Sequence, residues 1–340
     1  MSSKNLKFSI CIPIYKGSCL IKIALESVAK QDFKNYQIII GDDNQPEDTQ
    51  ETEKTKMAVE SFNFKEILYI RNPKNLGYAR NLMNITDKAK GDVLFLMAQD
   101  DILSKNSLQQ THDGFFLDDN VGAVTRPYFW FSKDINKPVR AVTPYDPARD
   151  TVIDITNNKR GFMKIFESVG QLSGLAYMRE YLEVPFNEDV FPAHIYPFAG
   201  ILRKHKCTFL KDYTVAVGIQ DSQTRHVSTI YDNSPTLSWL KMYDTVFGAE
   251  EYRQQRNWGY EHILTNYLGL VQLKNYAKRG VFEKEVKIML NKYPQNRKNL
   301  KLWLIATGLY LVPRSIGREI TDFVKNNYLA KKLPKIDFQL

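Results

Sequence analysis

The chain of 340 residues is poor in cysteine and lacks a long apolar run. No stretch of about 18 apolar residues occurs, so a membrane-spanning helix is not expected. The three cysteines, Cys11, Cys19 and Cys207, are widely spaced. That spacing indicates neither a disulfide framework nor a metal site, and it favours a reducing cytosol. The first predicted strand begins about eight residues from the start, which leaves no room for a secretory signal.

The net charge is +9, and nucleic-acid binding is the usual function to consider for a basic chain. Residues 291–340 carry ten Lys or Arg against three Asp or Glu, which gives +7 of that charge. These cations lie beside apolar residues rather than along a groove-shaped stripe. No helix-turn-helix, zinc-finger or RNA-binding signature occurs, so we expect no nucleic acid as a partner.

Short apolar runs alternate with helix-like stretches in the first hundred residues. Each run ends in polar or glycine residues, and the runs are residues 8–15, 36–43, 66–70 and 91–99. Residues 20–28 and 77–88, between them, have helical spacing. The alternation predicts an α/β fold with a doubly wound, mostly parallel sheet. Because ligands bind such sheets at the carboxyl ends of the strands, one rim is expected to carry Tyr15, Asp42, Asp43, Asp100 and Asp101.

The pattern changes after Tyr231, where helical stretches replace the alternation. These stretches are residues 236–247, 260–277 and 282–290. Since the chain is long for one domain, we predict a first domain over residues 1–230. A helical C-terminal region would follow over residues 231–340 and end in a basic amphipathic tail, residues 291–340.

Two adjacent carboxylates, Asp100 and Asp101, follow the apolar run that begins at Gly91. Neighbouring carboxylates repel each other and must be stabilised. One interpretation is a solvated turn after a strand. The other is a site for Mg²⁺ or Mn²⁺, which takes oxygen ligands and bridges one or two carboxylates to substrate phosphates.

Four motifs, taken in order along the chain, resemble family 2 glycosyltransferases of the GT-A fold. They are Ile12–Gly17 (opening strand and turn), Ile38–Asn44 (second strand with a nucleoside-binding acid), Asn75–Asn81 (the Asn-x-Gly-x-x-x-Ala-Arg-Asn stretch) and Met97–Asp101 (the place of the metal-binding Asp-x-Asp motif). The resemblance covers residues 8–130 well and residues 170–230 loosely. It implies a GT-A, Rossmann-like sheet and an inverting transfer of one sugar from a nucleotide-sugar donor.

The resemblance also implies which residues bind that donor. Asp43 would accept a hydrogen bond from a base N–H, as in uracil or thymine, so a UDP- or dTDP-sugar is expected; the alternative is a turn carboxylate. Arg80 would approach a phosphate unless it is an exposed helix arginine. Asp101 would orient a metal-bound water or a donor hydroxyl. The expected donor-binding residues are Pro13, Tyr15, Asp43, Asn75, Gly77, Arg80 and Asp101.

A divalent cation, Mn²⁺ or Mg²⁺, is implied because the diphosphate leaving group needs charge compensation. Asp100 is the expected ligand, but Ala98 stands where the first aspartate of the family motif would be. The second expected ligand is His226, in a segment that resembles the Arg-His stretch near the end of the family's catalytic domains. The alternative for His226 is a surface loop histidine.

An inverting transfer needs a base for the acceptor hydroxyl, and in this family the base is usually an aspartate at the start of a helix. His194 aligns with it by position, and a neutral imidazole takes protons near pH 7. Asp189 or Glu188 takes this role if the local register is shifted. The expected catalytic residues are therefore His194, with Asp189 as the alternative, and a capping or packing role for His194 stays open.

The basic tail contains an apolar segment, Leu302–Val312, with Trp303 and Tyr310. This segment is too short to span a bilayer but suits the headgroup interface of an anionic membrane. The alternative is a helix packed on the first domain or on a second subunit, which leaves a homo-oligomer open. We expect a protein that is peripheral at the cytoplasmic face of the cell membrane.

These expectations describe a glycosyltransferase whose acceptor is a glycan or a lipid-linked glycan in O-antigen or capsule biosynthesis. A nucleotidyltransferase is one alternative, but Tyr15–Cys19 offers only one glycine where a glycine-rich phosphate loop would be needed. A non-catalytic nucleotide-sugar-binding module is the other, and it is suggested by Ala98 and His194.

Overall fold

A computed structural model describes residues 5–189, 191–219, 228–324, 328 and 330–340. The strands of these residues are β1 (Phe8–Ile14), β2 (Tyr36–Asp42), β3 (Ile67–Arg71), β4 (Val93–Leu96), β5 (Ile102–Leu103), β6 (Val121–Thr125), β7 (Phe129–Phe131), β8 (Pro138–Ala141), β9 (Thr151–Ile153), β10 (Ala176–Met178), β11 (Lys206–Phe209) and β12 (Val215–Gly218).

The α-helices of the same residues fall into two groups. Those interleaved with the strands are α1 (Ile21–Ala29), α2 (Thr49–Glu60), α3 (Tyr78–Thr86), α4 (Ser107–Gly114), α5 (Lys159–Ser168) and α6 (Ile195–Ile201). Those that follow the last strand are α7 (Pro235–Val246), α8 (Arg253–Leu264), α9 (Gly269–Tyr276), α10 (Val281–Lys292), α11 (Leu300–Leu311) and α12 (Arg314–Val324).

The main sheet has eight strands in the order β3-β2-β1-β4-β10-β6-β11-β9. Strands β3, β2, β1 and β4 are parallel to one another, and β6 and β11 run in the same direction, whereas β10 and β9 are antiparallel to their neighbours. The predicted doubly wound, mostly parallel sheet is therefore confirmed. A second sheet, in the order β5-β12-β7-β8, lies beside it.

Alternating side chains of the central strands enter two hydrophobic cores. In β1, Ile10 and Ile12 face the core that contains α1, while Cys11 between them faces the core that contains α3 and α5. The strand period of two thus buries both faces of the sheet. Since the helices cover these faces, the carboxyl ends of β1, β2 and β4 are the edge at which a ligand can approach.

The helical C-terminal region builds a core of its own. The prediction of one helix over residues 260–277 is wrong, because α8 ends at Leu264 and α9 begins at Gly269. Buried Asn296 explains the break. Its Nδ2 donates to the Leu264 carbonyl at 2.9 Å, and its Oδ1 accepts from the Tyr267 hydroxyl at 2.5 Å. These bonds satisfy a helix-end carbonyl that would otherwise lack a partner.

The end of the chain returns to the first domain. Phe338 packs edge-to-face on Phe129 at 5.2 Å, and the Lys105 N–H donates to the Gln339 carbonyl at 2.9 Å. Among the described helices, none combines the length and the apolar character needed to cross a membrane. The boundary between residues 1–230 and 231–340 stays a prediction, since α7 contributes Met242 and Tyr243 to a core of the main sheet.

Candidate functional site

A cleft of about 1360 Å³ opens at the carboxyl ends of β1, β2 and β4. The structure brings eight of the predicted site residues to its wall: Pro13, Tyr15, Asp43, Asn75, Gly77, Asp100, Asp101 and His194. Arg80 and Asp189 are not part of this wall. His226 lies outside the described residues, so its predicted role as a metal ligand has no geometry to report.

Asp43, at the end of β2, organises the loop that precedes α3. One carboxylate oxygen accepts from the Leu76 N–H at 2.7 Å and from Asn72 Nδ2 at 2.9 Å, and the other accepts from the Gly77 N–H at 2.8 Å. Asn75 Nδ2 donates to the Asp43 carbonyl at 2.6 Å. Gly77 has a φ of +80°, a backbone conformation that glycine adopts without strain. Asp43 therefore fixes the Asn75–Gly77 loop against the strand.

The turn after β1 is held by Gln99, which follows β4. Its side-chain oxygen accepts from the Tyr15 N–H at 2.9 Å, and its Nε2 donates to the Tyr15 carbonyl at 3.1 Å. Gly17 leaves room for this contact, because a Cβ atom there would lie 2.3 Å from Gln99 Oε1 and would displace that side chain. The two strand ends that form the floor of the cleft are thus joined directly.

Asp101 is fully buried and ties three segments together. Its Oδ2 accepts from Ser173 Oγ at 2.5 Å and from Gln171 Nε2 at 2.7 Å, and its Oδ1 accepts from the Gly218 N–H at 3.0 Å. Burial, and next the charge of Asp100, raise the pKa of the Asp101 carboxyl well above its usual value, although these hydrogen bonds partly oppose the rise. Both oxygens serve the protein itself, so Asp101 is built into the wall.

Asp100 is partly buried and lines the cleft beside this network. Gly218 makes the close approach possible, because a Cβ atom there would lie 2.5 Å from the Asp100 carbonyl oxygen. Among the described residues, no three His, Cys, Asp or Glu side chains are grouped as a metal ion would require. A single carboxylate fits a cation that is shared with substrate phosphates and waters, which is the usual way in which Mg²⁺ is held.

His194 precedes α6 and is only 4% exposed. Its Nε2 lies 3.0 Å from the Val169 carbonyl oxygen, which only accepts hydrogen bonds, so Nε2 carries the proton. Its Nδ1 lies 2.9 Å from the Tyr78 hydroxyl and accepts from it. Burial lowers the pKa of His194 to about 4. The imidazole is therefore neutral at pH 7, with its Nδ1 lone pair directed at Tyr78. The expectation of a histidine that titrates near pH 7 is wrong, because burial disfavours the charged form.

The two alternatives for the base lie in the segment before α6. Asp189 accepts from the Tyr196 hydroxyl and from Lys241 Nζ at 3.0 Å. Glu188 forms an exposed ion pair with Arg80 at 2.8 Å. Arg80 is thus engaged with a carboxylate at the surface. The donor-phosphate role of Arg80 and the base role of Asp189 stay predictions.

Several residues at the cleft were not singled out from the sequence. Ser173 and Gln171 precede β10 and hold Asp101 from a distance of about seventy residues in the chain. Tyr78 lies in the recognised motif that starts at Asn75, which is the one signal that would have selected it. Trp130 and Arg140 come from the second sheet, with the guanidinium 3.6 Å above the indole ring.

Comparison with known families identifies the part of the chain that carries this cleft. Residues 9–175 match the family model "Glycosyl transferase family 2". The match begins in β1 and ends just before β10. It therefore includes the strand ends that position Asp43, Asp100 and Asp101.

Two named bacterial glycosyltransferases are similar to this chain over a shorter stretch. The GalNAc(5)-diNAcBac-PP-undecaprenol beta-1,3-glucosyltransferase of Campylobacter jejuni is 31% identical over 116 residues, which are 32% of this chain and 36% of that protein. The abequosyltransferase RfbV of Salmonella typhimurium is 36% identical over 102 residues, or 29% of this chain and 30% of that protein. The chain thus matches about a third of the length of these relatives.

Solved structures are similar over nearly the whole chain. S. aureus TarS 1-349 in complex with UDP-GlcNAc has a TM-score of 0.59 at 13% identity. The match covers 98% of our chain and 94% of the TarS chain. The mannosyltransferase PcManGT from Pyrobaculum calidifontis, in complex with GDP-Man and Mn²⁺, has a TM-score of 0.55 at 14% identity. This match covers 97% of our chain and 89% of the PcManGT chain. At this identity the likeness shows the fold alone.

Proposed function

Residues 9–175 place this chain in glycosyl transferase family 2, and from that premise we propose that it transfers a single sugar from a nucleotide-sugar donor to a glycan or lipid-linked glycan. The observation that carries the proposal is the cleft. It joins the loop fixed by Asp43 to Asp100 at the carboxyl ends of parallel strands, where sheets of this type bind nucleotides.

The donor in this proposal is a UDP- or dTDP-sugar. The nucleobase of the donor would lie near Asp43, whose backbone and side chain hold the Asn75–Gly77 loop in place. Asp100 would hold a divalent cation that, when bound, offsets the charge of the departing nucleoside diphosphate. Asp101 would act by positioning Asp100, because its own oxygens are bound to Ser173, Gln171 and Gly218.

His194 stays our proposed base, with its chemistry now specified. The proton would go from the acceptor hydroxyl to Nδ1, because Nε2 already carries a proton that it donates to Val169. The acceptor hydroxyl would first take the place of the Tyr78 hydroxyl at Nδ1. Its oxygen would then form the new glycosidic bond while the bond from the sugar to the nucleoside diphosphate breaks and the diphosphate leaves. The transfer would invert the sugar configuration, as the family resemblance implies.

The acceptor is proposed from chemistry and from relatives. The Campylobacter relative is named for an acceptor linked to undecaprenol, and the Salmonella relative is an abequosyltransferase. The exposed apolar residues of α11 and the charge of +7 over residues 291–340 favour an anionic membrane surface. We therefore propose surface-polysaccharide biosynthesis at the cytoplasmic face of the membrane.

The donor proposal is tested by thermal unfolding with UDP-, dTDP- and GDP-sugars, with and without Mn²⁺. A ligand that binds only the folded state stabilises it by about 2.7 kcal/mol at 100 times its Kd. We expect a UDP- or dTDP-sugar to raise the Tm, and to raise it more with Mn²⁺. Asp100→Asn should lose the Mn²⁺-dependent increase, whereas Glu53→Gln, at an exposed position of α2, should keep it. Failure of every donor to raise the Tm would reject the proposal.

A further inference from the structure

The cleft does not end at the catalytic residues. It continues into the C-terminal region, where its wall becomes apolar and is formed by α9, α11 and α12. Residues from these helices or next to them include Leu268, Leu273, Leu304, Leu309, Ile320 and Val324. We call this part the apolar groove. Small-molecule sites usually enclose about 300–1000 Å³, so a continuous cleft of about 1360 Å³ has room for a second ligand beside a donor.

Helix α11 presents more apolar surface than its packing covers. Leu302 and Ala306 are its buried residues, while Leu304 is 65% exposed and yet lines the groove. A helix that is apolar on all sides is normally surrounded by other apolar groups. On α12, Ile320 and Val324 are likewise exposed large side chains that line the same groove. Part of the uncovered apolar surface, at Leu304, Ile320 and Val324, thus lines a space that opens onto the catalytic cleft.

Glycine leaves space in this groove on two of its helices. Gly269 of α9 and Gly308 of α11 both line it. At Gly269 and Gly308, an added Cβ atom would meet nothing within 4 Å. Glycine inside a helix is less stable than alanine, and Gly308 has no clash to avoid. What the absence of a side chain preserves there is the free volume of the groove.

We propose that the apolar groove binds the hydrocarbon chain of a lipid-linked acceptor while the sugar end of the acceptor enters the catalytic cleft. The inference rests on the proposed function and names the acceptor class. Continuity between groove and cleft supports a single molecule that reaches both.

Isoprenoid phosphates are the probes for this site. Geranyl, farnesyl and geranylgeranyl phosphate differ in chain length and share one headgroup, and calorimetric titration below their aggregation limits gives their affinities. Each buried CH₂ group strengthens binding by roughly 3- to 4-fold, so we expect the affinity of the wild-type protein to rise with chain length. Affinity that is independent of chain length would overturn the proposal.

Gly308→Phe fills the groove from a position with open space and should weaken geranylgeranyl phosphate binding at least about tenfold. Gly269→Phe is a second blocking variant from a different helix, and Gly308→Ala should retain most of the binding. Leu311→Phe is the matched control, since Leu311 is 73% exposed on the same helix and does not line the groove. Thermal unfolding and circular dichroism would verify that each variant is folded.

Wild-type affinity in both folded blocking variants would overturn the proposal. It would also be overturned if Leu311→Phe lost binding equally, since the chain would then lie on the outer surface. If Gly308→Phe changed the sedimentation of the protein without changing isoprenoid binding, the occupant would be a second copy of the chain. Donor-induced thermal shifts in Gly308→Phe should equal those of the wild type. If no donor binds either protein, the proposed glycosyl transfer fails while the isoprenoid titration still decides the groove.

Discussion

Replacement of His194 tests the proposed base, but the structure decides which replacement is informative. Alanine would leave the Tyr78 hydroxyl and the Val169 carbonyl without their partner, at about 1–3 kcal/mol for each buried group. With the cavity added, the loss is roughly 3–5 kcal/mol. That is a large part of the 5–15 kcal/mol that usually holds a protein folded. Inactive His194→Ala protein could simply be unfolded.

His194→Gln separates the two effects. The glutamine amide can donate to Val169 and accept from Tyr78, but it has no basic nitrogen that could take the proton of the acceptor hydroxyl. If His194 is the base, transfer should fall by about 10²- to 10⁴-fold, which is about 2.7–5.5 kcal/mol of transition-state stabilisation. The Tm and the KM for the donor should change little. Steady-state release of nucleoside diphosphate, measured together with thermal unfolding, provides the assay.

Tyr78→Phe is the matched control, because it removes the hydroxyl that occupies Nδ1 and keeps the ring. It should retain transfer if the acceptor hydroxyl replaces Tyr78. Near-normal turnover in His194→Gln, with a large loss in Asp189→Asn, would refute the assignment and give the role to Asp189. A pH–rate profile cannot make this distinction, because burial lowers the pKa of His194 to about 4, next to the ordinary value of an aspartate.

Three further predictions follow from the site and the tail. Asp100→Asn should abolish transfer while the protein stays folded, whereas Asp101→Ala should lower the Tm because three donors lose their acceptor. Leu311→Glu should reduce sedimentation with anionic vesicles, and binding of the wild-type protein should weaken as salt rises; equal binding of the variant would contradict a membrane role for α11. Because the pKa of buried His194 and His262 is lowered to about 4, their contribution to the free energy of unfolding is present above pH 6.5. That contribution is lost towards pH 4, by up to roughly 3 kcal/mol for each histidine. Urea unfolding of His194→Gln should therefore show a weaker loss of stability over this range than the wild type, and an identical pH dependence would contradict the assignment.

The tail prediction is best tested by point substitution. Deletion of residues 291–340 would also remove Phe338 from its contact with Phe129 and the backbone bond between Lys105 and Gln339. A deleted protein could lose vesicle binding because the second sheet is disturbed. Leu311 is exposed and lies outside the groove, so its substitution isolates the membrane contact.

The sequence was sufficient to predict the parallel half of the main sheet. Strands β1 to β4 are local apolar runs. The predicted and observed bounds agree within one residue for β1, β2 and β3, whereas β4 is shorter than the predicted run. The antiparallel position of β10 between β4 and β6 was not predictable. Its three residues pair with strands that are distant in the chain, and pairing of that kind depends on the tertiary structure rather than on local pattern.

The residue types of the candidate site were also accessible from the sequence, but their partners were not. Asp101 was selected for its charge, yet its environment is made by Gln171, Ser173 and Gly218. His194 was selected as a base, yet its tautomer is set by the Val169 carbonyl. The lone pair of its Nδ1 accepts a hydrogen bond from Tyr78, which is 116 residues away in the chain. Such contacts appear only when the loops are placed in space.

The central claim is that this cleft transfers a sugar rather than only binding its donor. The most direct measurement is mass spectrometry of a bacterial lipid extract after incubation with the purified protein, Mn²⁺ and a donor that raises its Tm. The account predicts a lipid-extractable acceptor that gains the mass of one sugar, with an equal amount of nucleoside diphosphate released. Bound donor without nucleoside diphosphate release would identify a binding module. Release of a sugar phosphate, with transfer of the nucleotide, would identify a nucleotidyltransferase, and either result would contradict the account.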